Sequence, residues 1–117
     1  MEKSSTQICK TIEKILSKSK AKNITRIDLR KKSSIADFMI ICSGTSNRHV
    51  IALSNHLLET LKKKNLNTLN VEGKRSGDWI LLDAGDVIVH LFRNEVREYY
   101  SLEKMWSNVD SISYFKT

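Results

Sequence analysis

Ile8, Ile12, Ile15 and Leu16 recur with a helical period, and Ser4, Ser5 and Thr6 stand before them as candidate N-caps. This predicts an amphipathic helix whose opposite face carries Lys10, Lys14 and Lys18. Asn23 ends a polar turn, after which Ile24-Thr25-Arg26-Ile27-Asp28-Leu29 alternates as a half-buried strand does. A basic loop over residues 30–34 leads to Asp37-Phe38-Met39-Ile40-Ile41-Cys42, apolar almost throughout, which predicts a strand covered on both faces. Ser43-Gly44-Thr45-Ser46 then opens a second helix with Val50, Leu53, Leu57 and Leu61 along one side. That helix frays at Lys62-Lys63-Lys64, where cations suit the negative end of its dipole.

The second half of the pattern predicts three more strands. Leu69 and Val71 alternate with polar residues and stop at Glu72-Gly73. Residues 78–82 and 87–92 flank Asp83-Ala84-Gly85-Asp86, a short hairpin signal. Asn94 caps a helical stretch carrying Val96, Tyr99 and Tyr100, and a last turn over 101–106 ends in Trp106. The order helix, strand, strand, helix, three strands, helix argues one α/β domain with a mixed sheet flanked by helices. Residues 1–107 are expected to form that single domain and 108–117 a polar tail.

Length and composition narrow this further. A chain of 117 residues suits one core, and no apolar run approaches the roughly 20 residues of a membrane helix. The opening residues lack the layout of a secretory signal, so a cytoplasmic protein is expected. Cys9 and Cys42 stand far apart without a CxxC pair, which points to buried, reduced thiols and not to a zinc site or disulfide. The net charge of +7 sits in residues 1–32, where ten Lys/Arg face Glu2, Glu13 and Asp28. The segment 72–103 is acidic by contrast, with seven acids against four bases. Lys10, Lys14 and Lys18 are candidate contacts to RNA phosphate, although a plain solvated lysine face is the simpler account of them. No aromatic residue lies among them to stack bases.

Candidate chemistry is sparse. The turn at residues 43–46 lies between a strand and a helix, where it caps the helix or contacts an anion. It is similar to the Gly-Ser turn of nucleotidyltransferases, whose metal-binding carboxylates should follow at once, but Asn47, Arg48 and His49 come next. His49, His56 and His90 form no ligand set, and Asp83 and Asp86 are expected as turn carboxylates without a metal. His90 alternates with its strand neighbours so as to face outward on one sheet surface, and Cys42 is expected to be inert mid-strand. No metal, cofactor or catalytic constellation is legible.

Four segments in order resemble the ribosomal silencing factor (iojap) family. They are Asp37 through His49, Val71-Glu72-Gly73, Asp78 through Phe92, and the E-x-R-x-x-Y-x-L-E-x-x-W ending at Glu95, Arg97, Tyr100, Leu102, Glu103 and Trp106. The resemblance implies a nucleotidyltransferase-like α/β fold without the catalytic carboxylates, hence no enzyme. It implies a factor that docks on the large ribosomal subunit at ribosomal protein uL14, blocks joining of the small subunit and represses translation when nutrients fall. Organellar relatives assist large-subunit assembly, and many members are homodimers off the ribosome. The acidic segment suits a basic ribosomal protein, so the docking surface is expected at Trp79, Asp83, Asp86, His90, Arg97, Tyr100 and Glu103. A nucleotidyltransferase-type enzyme and a plain RNA-binding module are the alternatives.

Overall fold

Ser4 and Gln7 close a reciprocal capping box at the start of α1 (Ser5–Lys18). The Ser4 hydroxyl accepts from the Gln7 N–H at 3.2 Å, and the Gln7 side chain accepts from the Ser4 N–H at 3.1 Å. The computed structural model describes residues 4–66, 68 and 70–100, the last three by backbone alone. After α1 come β1 (Lys22–Asp28), β2 (Phe38–Gly44), α2 (Asn47–Lys63), β3 (Asn70–Glu72), β4 (Trp79–Asp83), β5 (Val87–Arg93) and α3 (Asn94–Tyr100). The strands form one mixed sheet in the order β1-β2-β5-β4-β3. Among the described residues the pair β2 with β5 is parallel and the other pairs run antiparallel. The single α/β domain with a mixed sheet is therefore as the hydrophobic pattern predicts.

The boundaries differ for local reasons. β2 runs two residues beyond Cys42, because Ser43 and Gly44 still pair with Phe92 and Arg93 of β5. β1 begins at Lys22 and not at Ile24, and Asn23 sits in it at φ 51° where the register with β2 shifts. The last turn and tail expected at residues 101–117, and Leu69 of the third strand, lie outside the described residues.

Two apolar layers cover the two faces of the sheet. On one, Phe38, Ile40, Cys42, Ile80, Leu82, Val87, Val89 and Leu91 pack against Cys9, Ile12 and Leu16 of α1 and Val50, Leu53, Leu57 and Leu61 of α2. Leu53, Leu57 and Leu61 of α2 are fully buried, each contributing roughly 1.5–3 kcal/mol of transfer free energy. On the other face Leu29, Ala36, Met39, Ile41, Ile88 and Phe92 form a second cluster, joined by Ile27, Trp79, Leu81 and Val96. Central strands buried on both sides explain why residues 38–44 are apolar almost without alternation.

Candidate protein-docking edge

The end of the sheet where β2 and β5 finish is filled by side chains from within the domain. Ser46 caps α2 by accepting from the His49 N–H at 3.1 Å, and the His49 ring nitrogen Nδ1 accepts from the Thr45 N–H at 3.0 Å. The Thr45 and His49 N–H groups are thus taken up locally, and the turn acts as a cap. Gly44 is required there, because a Cβ would lie 2.8 Å from Val50 Cγ2. Where a nucleotidyltransferase would place its carboxylates, Asn47 donates to the Ser76 carbonyl and to Asp78, both at 2.7 Å. Arg93 donates to Asp78 at 3.0 Å and to Glu95 at 2.9 Å, and Arg93 and Asn47 together hold the Asp78 carboxyl below its usual range. Among the described residues no group of three or more His, Cys, Asp or Glu could hold a metal.

Arg97 is spent in the same region. Its guanidinium donates to the Asn23 carbonyl at 2.6 Å, to the Ser43 hydroxyl at 3.0 Å and to Thr25 Oγ1 at 3.0 Å, tying α3 to β1 and β2. Sequence reasoning placed Arg97 on the docking surface. Its guanidinium is instead a strut across the sheet end.

His90 also departs from expectation. Its parity is right, since it lies on the sheet face away from α1 and α2, but that face is a second core and the residue is 0% exposed. An outward-facing His90 is thus corrected: it cannot touch a partner from this position. Its Nδ1 accepts from the Trp79 indole N–H at 2.9 Å, which leaves the ring proton on Nε2. Burial alone pushes its pKa down to about 3, so it is a neutral imidazole. Trp79 is held from two sides, by this bond and by stacking on Phe92 with centroids 4.9 Å apart. It is half-buried.

The register shows what remains accessible. Asp83 pairs with Asn70, and Leu81 with Glu72, so these four share the face of Trp79 along the β3–β4 edge. Trp79, Leu81 and Asp83 are half-buried, and Asn70 and Glu72 are exposed. Asp83 accepts from the Gly85 N–H at 2.9 Å and Gly85 takes φ 82°, so this carboxylate shapes the turn besides charging it. Asp86 is exposed, while its carbonyl receives the Asp37 and Phe38 N–H groups and fixes the hairpin against β2. Trp79 and Asp83 are about 13 Å apart along the strand, well within one interface patch. Leu81 and Glu72 were missed in the sequence, where only the antiparallel register could have joined them to Trp79 and Asp83. The Tyr100 side chain and Glu103 lie outside the described residues.

Lys10, Lys14 and Lys18 all project to solvent from α1, as expected. Cys9 and Cys42 are both buried free thiols; burial pushes Cys9 up to about 11 and Cys42 to about 12.

Comparison with known proteins supplies the context for this edge. The family described as "Ribosomal silencing factor during starvation" matches residues 2–116. "Ribosomal silencing factor RsfS" of Zymomonas mobilis is 46% identical over 99 residues, covering 85% of this chain and 74% of the relative. A mouse relative named for mitochondrial assembly of the ribosomal large subunit is 33% identical over 96 residues, covering 80% of this chain and 42% of its own. The crystal structure of a Chromobacterium violaceum protein superposes with a TM-score of 0.88 at 38% identity, covering 91% of this chain and 88% of that one. A match across nearly the whole length, on the same fold, means that this chain belongs to the ribosomal silencing factor family.

Proposed function

We propose that this protein binds the large ribosomal subunit through the β3–β4 edge, seated on ribosomal protein uL14, and by its bulk keeps the small subunit from joining. One observation carries this: in a chain of the silencing-factor family, Glu72 and Asp83 flank a half-buried Trp79 and Leu81 on the β3–β4 edge, and Asp86 is exposed in the adjoining β4–β5 turn. Acidic groups around an anchored aromatic suit a basic protein partner, with charge setting encounter and register and the apolar centre supplying affinity. Blocking then needs only occupancy, because a body of 40 × 33 × 23 Å cannot be accommodated between two surfaces in contact. No chemical step is required, and the protein acts as a translation repressor and not as an enzyme. It works in the cytoplasm in this account; no helix among the described residues is long and apolar enough to cross a membrane. Off the ribosome two copies associate, which sedimentation equilibrium of the pure protein checks.

The test is charge reversal at the edge. Because Asp83 caps its turn, the cleaner pair is Glu72→Lys with Asp86→Lys, both exposed. Like charges facing a basic partner cost several kcal/mol, on the order of 100-fold or more in Kd. Thermal stability should move by less than about 1 kcal/mol for the pair. A folded double variant that co-sediments with large subunits as tightly as the wild type places the docking surface elsewhere.

A further inference from the structure

The helical layer carries a second, oppositely charged surface. Residues 4–19 and 46–64, which are α1 and α2 with their caps, contain seven Lys/Arg and only Glu13 and Glu59 as acids, a net +5. Of the two acids, Glu13 is paired with Arg26 of β1, and Glu59 is drawn to Lys63 at 3.3 Å. Between the helices runs a groove of about 620 Å³, to which α1 contributes Lys14 and Lys18, α2 contributes His56 and Glu59, and the C-cap of α2 contributes Lys64. One contact closes its end: Ser19 Oγ and His56 Nδ1 meet at 3.1 Å, joining the end of α1 to the middle of α2. Lys10, Lys62 and Lys63 are exposed on the same two helices.

We propose that this groove docks the phosphate backbone of RNA belonging to the large subunit, as a contact separate from the acidic β3–β4 edge. It rests on the proposed ribosome binding only for the source of that RNA. Lys10, Lys14 and Lys18 follow one another at four-residue spacing, which spreads the row over about 12 Å of helix. A small anion would meet one or two of these charges, whereas a polyanion meets all of them. The cations of the groove are lysines, compact point charges suited to phosphate positioning without planar, bidentate readout. Among the described residues no Phe, Tyr or Trp lines the groove, so it lacks the large aromatic anchor that dominates protein interfaces and the large platform that stacks bases. Backbone binding needs neither. Sequence reasoning found only the α1 half of this surface; the fold brings Lys64 across to complete it.

The test is fluorescence anisotropy of a labelled RNA duplex with the full chain, titrated across salt concentrations, using Lys14→Gln/Lys18→Gln/Lys64→Gln. Removing three phosphate contacts should weaken binding about tenfold or more and lower the salt slope by roughly 2–3. The same three positions changed to Arg should keep both, and Lys31→Gln/Lys32→Gln/Lys74→Gln, which removes equal charge outside the groove, should lose less than about threefold. Equal losses in the groove variant and this control would show net charge alone at work and overturn the proposal. Displacement of the duplex by polyglutamate as readily as by unlabelled RNA would overturn it in favour of an acidic protein partner. Failure here stays separable from failure of the edge: wild type that binds large subunits but not RNA removes the groove and leaves the edge standing. A Glu72→Lys/Asp86→Lys variant that still binds the duplex, but not large subunits, supports both surfaces.

Discussion

Lowering the pH from 7.5 to 5 should cost this protein about 2 kcal/mol of folding stability through one residue, His90. Its imidazole is fully buried and held near a pKa of about 3, against 6.5 for the exposed side chain of an unfolded chain. Between those values the unfolded state binds a proton that the folded state refuses, so stability is fully present above pH 6.5 and falls as the pH drops. At pH 5 the loss is set by 1.5 pH units below the unfolded value at about 1.4 kcal/mol each, whatever the folded pKa, provided it lies well under 5. Arg30 holds Asp28 down at about 2, and Asp78 is also held low, so their stabilisation is kept above the ordinary carboxylate range and lost only in more acid solution. Urea unfolding at the two pH values measures the effect, and the melting temperature should fall by roughly 8 °C. His90→Asn is the control, since it keeps an acceptor for the Trp79 N–H and removes the titration. The variant should lose less than about 0.5 kcal/mol over the same interval. A variant whose loss equals that of the wild type, or a wild type that loses under about 1 kcal/mol, would refute the buried neutral imidazole.

Two further outcomes follow from packing. Gly73→Ala should destabilise by at least about 3 kcal/mol, because its Cβ would sit 2.0 Å from the Trp79 carbonyl at φ 86°, whereas Gly85→Ala, with open space around it, should cost about 1–2. Paired denaturation curves check the contrast, and equal costs would contradict it. Cys9 and Cys42 should react with a thiol reagent at pH 8 only as fast as the domain opens, and at once in denaturant. Rapid reaction of the native protein would mean that one thiol is accessible.

Periodicity made most of this fold legible. The spacing of Val50, Leu53, Leu57 and Leu61 predicts the buried side of α2, and the unbroken apolar run from Phe38 predicts a strand covered on both faces. His90 was misplaced for a physical reason: alternation assigns a residue to a face but does not say what covers that face, and here it is a second core. Arg97 enters the docking surface through the family ending E-x-R-x-x-Y, and a linear motif does not reveal that Asn23, Thr25 and Ser43 lie within its reach. Glu72 and Leu81 became visible only through the β3–β4 register, just as Lys64 joined Lys14 and Lys18 only once α2 lay beside α1. Long-range juxtaposition is what a one-dimensional pattern omits.

The measurement that bears most directly on the proposed function is the joining of purified ribosomal subunits followed by light scattering as this protein is titrated in. Steric occupancy predicts that the joined fraction falls in step with the fraction of large subunits occupied, without any nucleotide or metal requirement, and that Glu72→Lys/Asp86→Lys leaves joining unchanged at the same concentrations. Undiminished joining at concentrations where co-sedimentation shows the large subunits saturated would contradict it.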